Sequence, residues 1–166
     1  MKNSFLLLSF CLFSLLLVAQ KKSLPACPSV ATEIAKINST FDQLVLNATK
    51  DVVYPPTTIC SVKGMFETVE GMANFTFKFS DEDYTGKKAA FDAVFENIYQ
   101  ALKVNFGASH DITSDTSETG RSWHFNEKGK SWLEARLNAN LYITYVNSFS
   151  ELPEFTVELE FSGMLK

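Results

Sequence analysis

The sequence predicts an α+β domain in which two amphipathic helices cover one face of an antiparallel sheet. Three observations carry that class. Apolar residues recur at three- and four-residue steps in two stretches, 30–48 and 91–102. In several other stretches they alternate with polar residues one for one. Turn signals, at Pro55-Pro56, Gly71 and Lys128-Gly129, fall between these stretches. A period near 3.6 marks a helix with one buried stripe, and a period of two marks a strand with one buried face.

Ahead of the domain, Lys2 precedes an almost unbroken Leu/Phe run from Ser4 to Ala19, followed at once by Gln20, Lys21 and Lys22. A bilayer span takes about 20 apolar residues. The run is shorter and ends in a small residue before charge, so 1–19 reads as a cleaved secretory signal peptide. Residues 20–166 are then one domain, secreted or periplasmic, with no transmembrane anchor after cleavage. The junction Val18-Ala19-Gln20 resembles those of exported Gram-negative proteins.

Cleavage removes Cys11 and leaves two cysteines, Cys27 and Cys60. In an exported chain a lone pair of thiols defaults to a disulfide. Closing a loop of about thirty residues stabilises by roughly 3 to 4 kcal/mol in the chain-entropy model. Lipidation at Cys27 after Leu24-Pro25-Ala26 is the alternative, although that box stands apart from the apolar run. Asn38, Asn47 and Asn74 each open an Asn-x-Ser/Thr sequon, which carries meaning only in a eukaryotic source.

The elements follow in order. Pro28 suits the start of a helix, where its missing N–H is unpaired anyway. Val30, Ile34, Ile37, Phe41, Leu44 and Ala48 then form one stripe of a helix of about 20 residues. Pro55-Pro56 ends anything helical, since the residue before proline avoids the α region. A hairpin comes next: Cys60, Val62 and Phe66 alternate on its first strand and Phe75, Phe77 and Phe79 on its second, around a turn at Gly71. Phe91, Val94, Phe95, Ile98 and Leu102 make the second helix, which stops near Gly107. Residues 107–120 read as a long polar loop, Ile112 its only large apolar residue. Three strands close the chain. Trp123 and Phe125 alternate on the first, Leu133 through Tyr145 on the longest, and Phe155, Val157, Leu159 and Phe161 on the last.

Helix, hairpin, helix and a three-stranded antiparallel meander thus form one curved sheet packed against two helices. That order resembles the NTF2-like cone, in which a curved sheet wraps a helix and opens into a pocket. The resemblance lies in element order alone, with no residue motif attached.

The formal net charge is −4, and −5 once Lys2 leaves with the signal peptide. Basic residues occur singly or in pairs such as Lys87 and Lys88, with no stripe to neutralise phosphates, which argues against nucleic acid as a partner. Asp81, Asp83 and Thr85, with Gly86 and Asp92 further on, follow the spacing of a calcium loop. Asp92 replaces the bidentate glutamate and Lys88 fills a usually apolar position, so an acidic turn leading into a helix explains the same residues. Ser109-His110-Asp111 holds the letters of a triad, but neighbours in sequence cannot form the relay. No cofactor is expected.

The polar face of the long strand is the remaining candidate. Trp132, Arg136, Asn140 and Tyr142, with Glu158 and Glu160 on the next strand, mix aromatic and hydrogen-bonding groups as binding surfaces do. The 107–120 loop would form its rim. The leading expectation is a non-enzymatic module of the envelope or extracellular space that binds a protein or a cell-envelope component. One alternative is a small-molecule pocket protein or enzyme of NTF2-like architecture, with Glu158 or Glu160 as base. Another is a calcium-stabilised envelope module.

Overall fold

The structure is a computed structural model and describes residues 22–49, 57–80, 83–146 and 154–164. The proposed signal peptide and Pro55-Pro56 lie outside these residues. A two-residue strand β1 (Lys22–Ser23) leads to helix α1 (Val30–Thr49). Short strands β2 (Thr58–Ile59) and β3 (Val62–Lys63) come next, then β4 (Met65–Val69), β5 (Met72–Ser80) and the two-residue β6 (Tyr84–Thr85). Helix α2 spans Lys88–Phe106, and β7 (His110–Ser117), β8 (Gly120–Glu127), β9 (Asn138–Val146) and β10 (Glu154–Met164) complete the chain.

One sheet of six antiparallel strands, in the order β4-β5-β10-β9-β8-β7, dominates the molecule. The closing meander therefore has four strands, where the sequence predicts three. The added strand is β7, which occupies most of the predicted 107–120 loop and joins β8 through a two-residue turn at Glu118-Thr119. The last strand, β10, returns to pair with β5, so hairpin and meander share one sheet. The hairpin turn Glu70-Gly71 has positive φ at both residues, 51° and 81°. That is the two-residue turn whose twist matches its strands, with glycine at one of the two left-handed positions.

The helices pack on the apolar face. Val30, Ile34, Ile37, Phe41 and Val45 of α1 are buried, so the stripe continues four residues beyond Phe41 to Val45 and leaves Leu44 at its margin. On α2 the buried set is Phe91, Val94, Phe95, Ile98, Ala101, Leu102 and Phe106. Opposite them lie Phe75, Phe77 and Phe79 of β5, Leu141 and Ile143 of β9, and Val157, Leu159 and Phe161 of β10. Nine phenylalanines have essentially no exposed surface, and they fill the space between helices and sheet. Each contributes on the order of 2 to 3 kcal/mol relative to exposure.

Cys27 and Cys60 form the expected disulfide, with their Cα atoms 4.7 Å apart. Cys27 is therefore not free for lipidation. The bond ties the start of α1 to the β2–β3 turn, where Cys60 and Ser61 hold left-handed φ of 53° and 65°. Glu33, in the first turn of α1, accepts the Cys60 N–H at 2.8 Å and the Ser29 hydroxyl at 3.0 Å. These contacts offset the strain of two non-glycine residues in the left-handed region.

The largest departure from the sequence reading lies at 128–137. The predicted long strand begins at Asn138, not near Trp132. Ser131-Trp132-Leu133-Glu134 instead closes a turn: Glu134 and Ala135 donate their amides to the Ser131 carbonyl, and the Glu134 carboxylate accepts the Ser131 amide and hydroxyl. This is capping-box chemistry, and it wins over the continuing apolar alternation. Trp132 and Leu133 are consequently exposed, at 53% and 49%.

Candidate functional site

The face of the sheet opposite the helices carries no covering element among the described residues. Because both cross-strand registers are fixed, its side chains fall into rows. One row runs Lys78, Glu158, Tyr142, Ser122, Asp115 across β5, β10, β9, β8 and β7. The next runs Thr76, Glu160, Asn140, His124, Thr113 over the same strands. A third holds Glu67, Asn74, Ser162 and Asn138 on β4, β5, β10 and β9.

Four of the six sequence-predicted binding residues therefore meet: Asn140, Tyr142, Glu158 and Glu160. Trp132 and Arg136 do not join them, because the strand that would have carried them starts later. Arg136 turns instead to α1, donating from Nη1 and Nη2 to the Asn38 carbonyl at 3.1 Å and from Nη2 to Asn38 Oδ1 at 2.7 Å. Its own amide goes to the Glu127 carboxylate at 2.6 Å. Arg136 thus fastens the 128–137 segment to α1.

His124 and Ser122 lie on the same face, although neither is among the six binding residues the sequence suggests. His124 sits between Ser122 Oγ and Asn140 Oδ1, each 3.0 Å from a ring nitrogen. Its ring stands edge-on to Tyr142 with centroids 5.6 Å apart. Asn140 Oδ1 can only accept, so Nδ1 of His124 donates to it, and Nε2 is paired with the Ser122 hydroxyl. Tyr142, Ser122 and Asp115 also border an open depression of about 170 Å³ near the β7–β8 turn.

The electrostatics of the face are acidic. Among the described residues, Glu67, Asp111, Asp115, Glu158 and Glu160 project onto it, with Lys78 as the one lysine in its rows. Partial burial pushes the Glu160 carboxyl above the usual carboxylate range. Glu158, two residues away on the same strand, adds to the rise, and a hydrogen bond from Asn140 opposes it. Burial likewise raises the Tyr142 hydroxyl, with further contributions from Glu160 and Glu158. Asn74 Oδ1 is buried on this face without a hydrogen-bond partner.

Two of the calcium-loop residues, Thr85 and Asp92, have side-chain partners of their own. Asp81 lies outside the described residues, Asp83 is exposed, and the Thr85 hydroxyl donates to the Lys22 carbonyl at 3.5 Å. Asp92 accepts from Lys88 at 2.8 Å, from Arg121 at 3.0 Å and from the Tyr145 hydroxyl. Among the described residues no group of three His, Cys, Asp or Glu is placed to hold a metal. His110 is buried, donates from Nε2 to the Leu137 carbonyl at 2.7 Å and accepts the Ser109 hydroxyl at 2.8 Å. Its role is to hold the 128–137 segment against the sheet.

No family model matches the chain, and no curated protein or solved structure does either. Among the described residues, no helix is long and apolar enough to cross a membrane.

Proposed function

We propose that this chain is an exported, non-enzymatic binding module whose uncovered polar sheet face recognises a protein or cell-envelope component. The observation that carries the proposal is the row structure itself. Asn140, Tyr142, Glu158, Glu160, His124 and Ser122 share one open face while the opposite face is filled by phenylalanine. Signal cleavage after Ala19 and a single domain from residue 20 onward belong to the same reading, which the disulfide supports. For the architecture we propose the NTF2-like cone suggested by element order, with its interior packed and recognition moved to the outer face.

The raised carboxyl of Glu160 favours a second reading, an enzyme using that residue as base. Against it, the cause of the rise is a neighbouring carboxylate and partial burial on an open surface, with no enclosed cavity around the group. The test is retention from envelope extracts by the native chain and by a folded Asn140→Ala/Tyr142→Ala variant. A component held by the native chain and lost from the variant supports the face. Equal retention places recognition elsewhere.

A further inference from the structure

Among the described residues β7 is the outermost strand of the sheet, with nothing paired to its outer edge. Lys128 donates its amide to the Ser109 carbonyl at 3.0 Å, which makes His110 and Glu127 a non-hydrogen-bonded pair. By alternation Asp111, Thr113 and Asp115 bond to β8, and the amides and carbonyls of Ile112 and Ser114 point away from the sheet. The Thr116 amide also points outward, but Asp115 Oδ1 takes it at 2.9 Å. Free edges are usually blunted by proline, a bulge or charged side chains, lysine above all, and here the only charges are Asp111 and Asp115. The sequence His-Asp-Ile-Thr-Ser-Asp-Thr-Ser has neither lysine nor proline, and its register with β8 runs without a bulge.

A second copy of β7 is a poor occupant. An antiparallel pair centred on Thr113 would set Asp111 of each copy directly against Asp115 of the other, and like charges so placed repel. The same two carboxylates favour an extended segment carrying cations four residues apart. Resting on the binding reading above, we infer that the free edge of β7 accepts a cationic extended peptide as a seventh strand. Its backbone bonds to Ile112 and Ser114, and its lysine or arginine side chains lie over Asp111 and Asp115. The depression beside Asp115, Ser122 and Tyr142 receives the end of one such side chain.

The probe is a short capped peptide of threonine and valine with lysines four positions apart, against a counterpart with glutamate at those positions. Binding is read by fluorescence anisotropy and by amide hydrogen exchange. The expected result is that the lysine peptide binds, the glutamate peptide does not, and exchange slows at Ile112 and Ser114. Asp111→Asn/Asp115→Asn, which keeps the Oδ1 cap on Thr116, should weaken binding about tenfold or more. Ser114→Pro removes an outward amide without a ladder bond and should abolish the protection. No binding, binding without protection of Ile112 and Ser114, or undiminished affinity of the aspartate variant would overturn the inference. The retention assay reads an envelope component, whereas the peptide is read through Asp111, Asp115 and exchange at Ile112 and Ser114, so the two readings fail separately.

Discussion

Replacing Arg136 with alanine should destabilise the fold without touching recognition. The guanidinium makes three hydrogen bonds to Asn38, two to its carbonyl and one to its side chain. They join segments 98 residues apart in sequence, so their loss frees the 128–137 segment from α1. A hydrogen bond from a charged donor contributes about 1.5 to 3 kcal/mol net, and three bonds from one half-exposed group share that value without multiplying it. The expected loss is about 2 kcal/mol, or about 4 to 8 °C in Tm for a domain of this size. Urea and thermal unfolding give the number, and Asn38→Ala completes a double-mutant cycle with an expected coupling of about 1 kcal/mol. A loss below about 0.5 kcal/mol would refute the fastening role. So would a folded variant of unchanged stability that no longer retains the partner, since Arg136 would then be a contact residue after all.

Cys27→Ser/Cys60→Ser should cost about 3 to 4 kcal/mol, the entropy of the closed loop, and unfolding with and without reductant measures it. Gly163→Ala should cost more than about 2 kcal/mol, because the added methyl collides with the Arg136 carbonyl and the Phe41 ring; a urea midpoint close to that of the native chain would count against this packing. Burial acts to raise the Asp92 carboxyl, but Lys88, Tyr145 and Arg121 more than offset it and hold it below the usual range. Its contribution is therefore present above the unfolded carboxylate pKa and lost as pH falls through the folded value, so Asp92→Asn should flatten the acid limb of the stability curve. Glu160 behaves oppositely: its raised folded pKa makes stability fall as pH rises through that window, so Glu160→Gln should stabilise at neutral pH and change nothing in acid.

Both helices and the β4–β5 hairpin were legible because each shows one period over many residues and ends at a recognisable turn. Val45 replaced Leu44 at the buried position for a geometric reason, since a four-residue step from Phe41 lands nearer the stripe. β7 was not legible. An edge strand meets the core with few side chains, and here only His110 and Ile112 turn inward with any burial, while Asp and Ser argue against a strand locally. Its pairing with β8 creates it, and pairing is not a local property. The faint signals were the β-branched Ile112, Thr113 and Thr116 and the short gap before Gly120. At 128–137 two signals compete: Ser131 and Glu134 have capping-box spacing, while the apolar alternation from Leu133 to Tyr145 points to a strand. Four of the six residues of the proposed face followed. Strand alternation placed Asn140, Tyr142, Glu158 and Glu160 on one face, but His124 joined them only through the β8–β9 register.

The acidic face sets stability against recognition at one residue. Glu158 and Glu160 repel each other on a central strand, and among the described residues Lys78 is the one lysine in the rows of that face, against five carboxylates. Glutamine at Glu160 would keep the hydrogen bonding and relieve the repulsion, so a chain selected for folding alone would gain from the change. A cationic partner reverses the balance. Positive charge over the face favours the ionised carboxyl, draws its pKa back toward the ordinary range and releases a proton on binding. Affinity should therefore fall as pH is lowered through the raised Glu160 value, and Glu160→Gln should bind more weakly while folding more tightly. Measuring both quantities on the same variant decides the matter. If glutamine strengthens the fold and leaves retention and its pH dependence unchanged, the carboxylate plays no part in recognition.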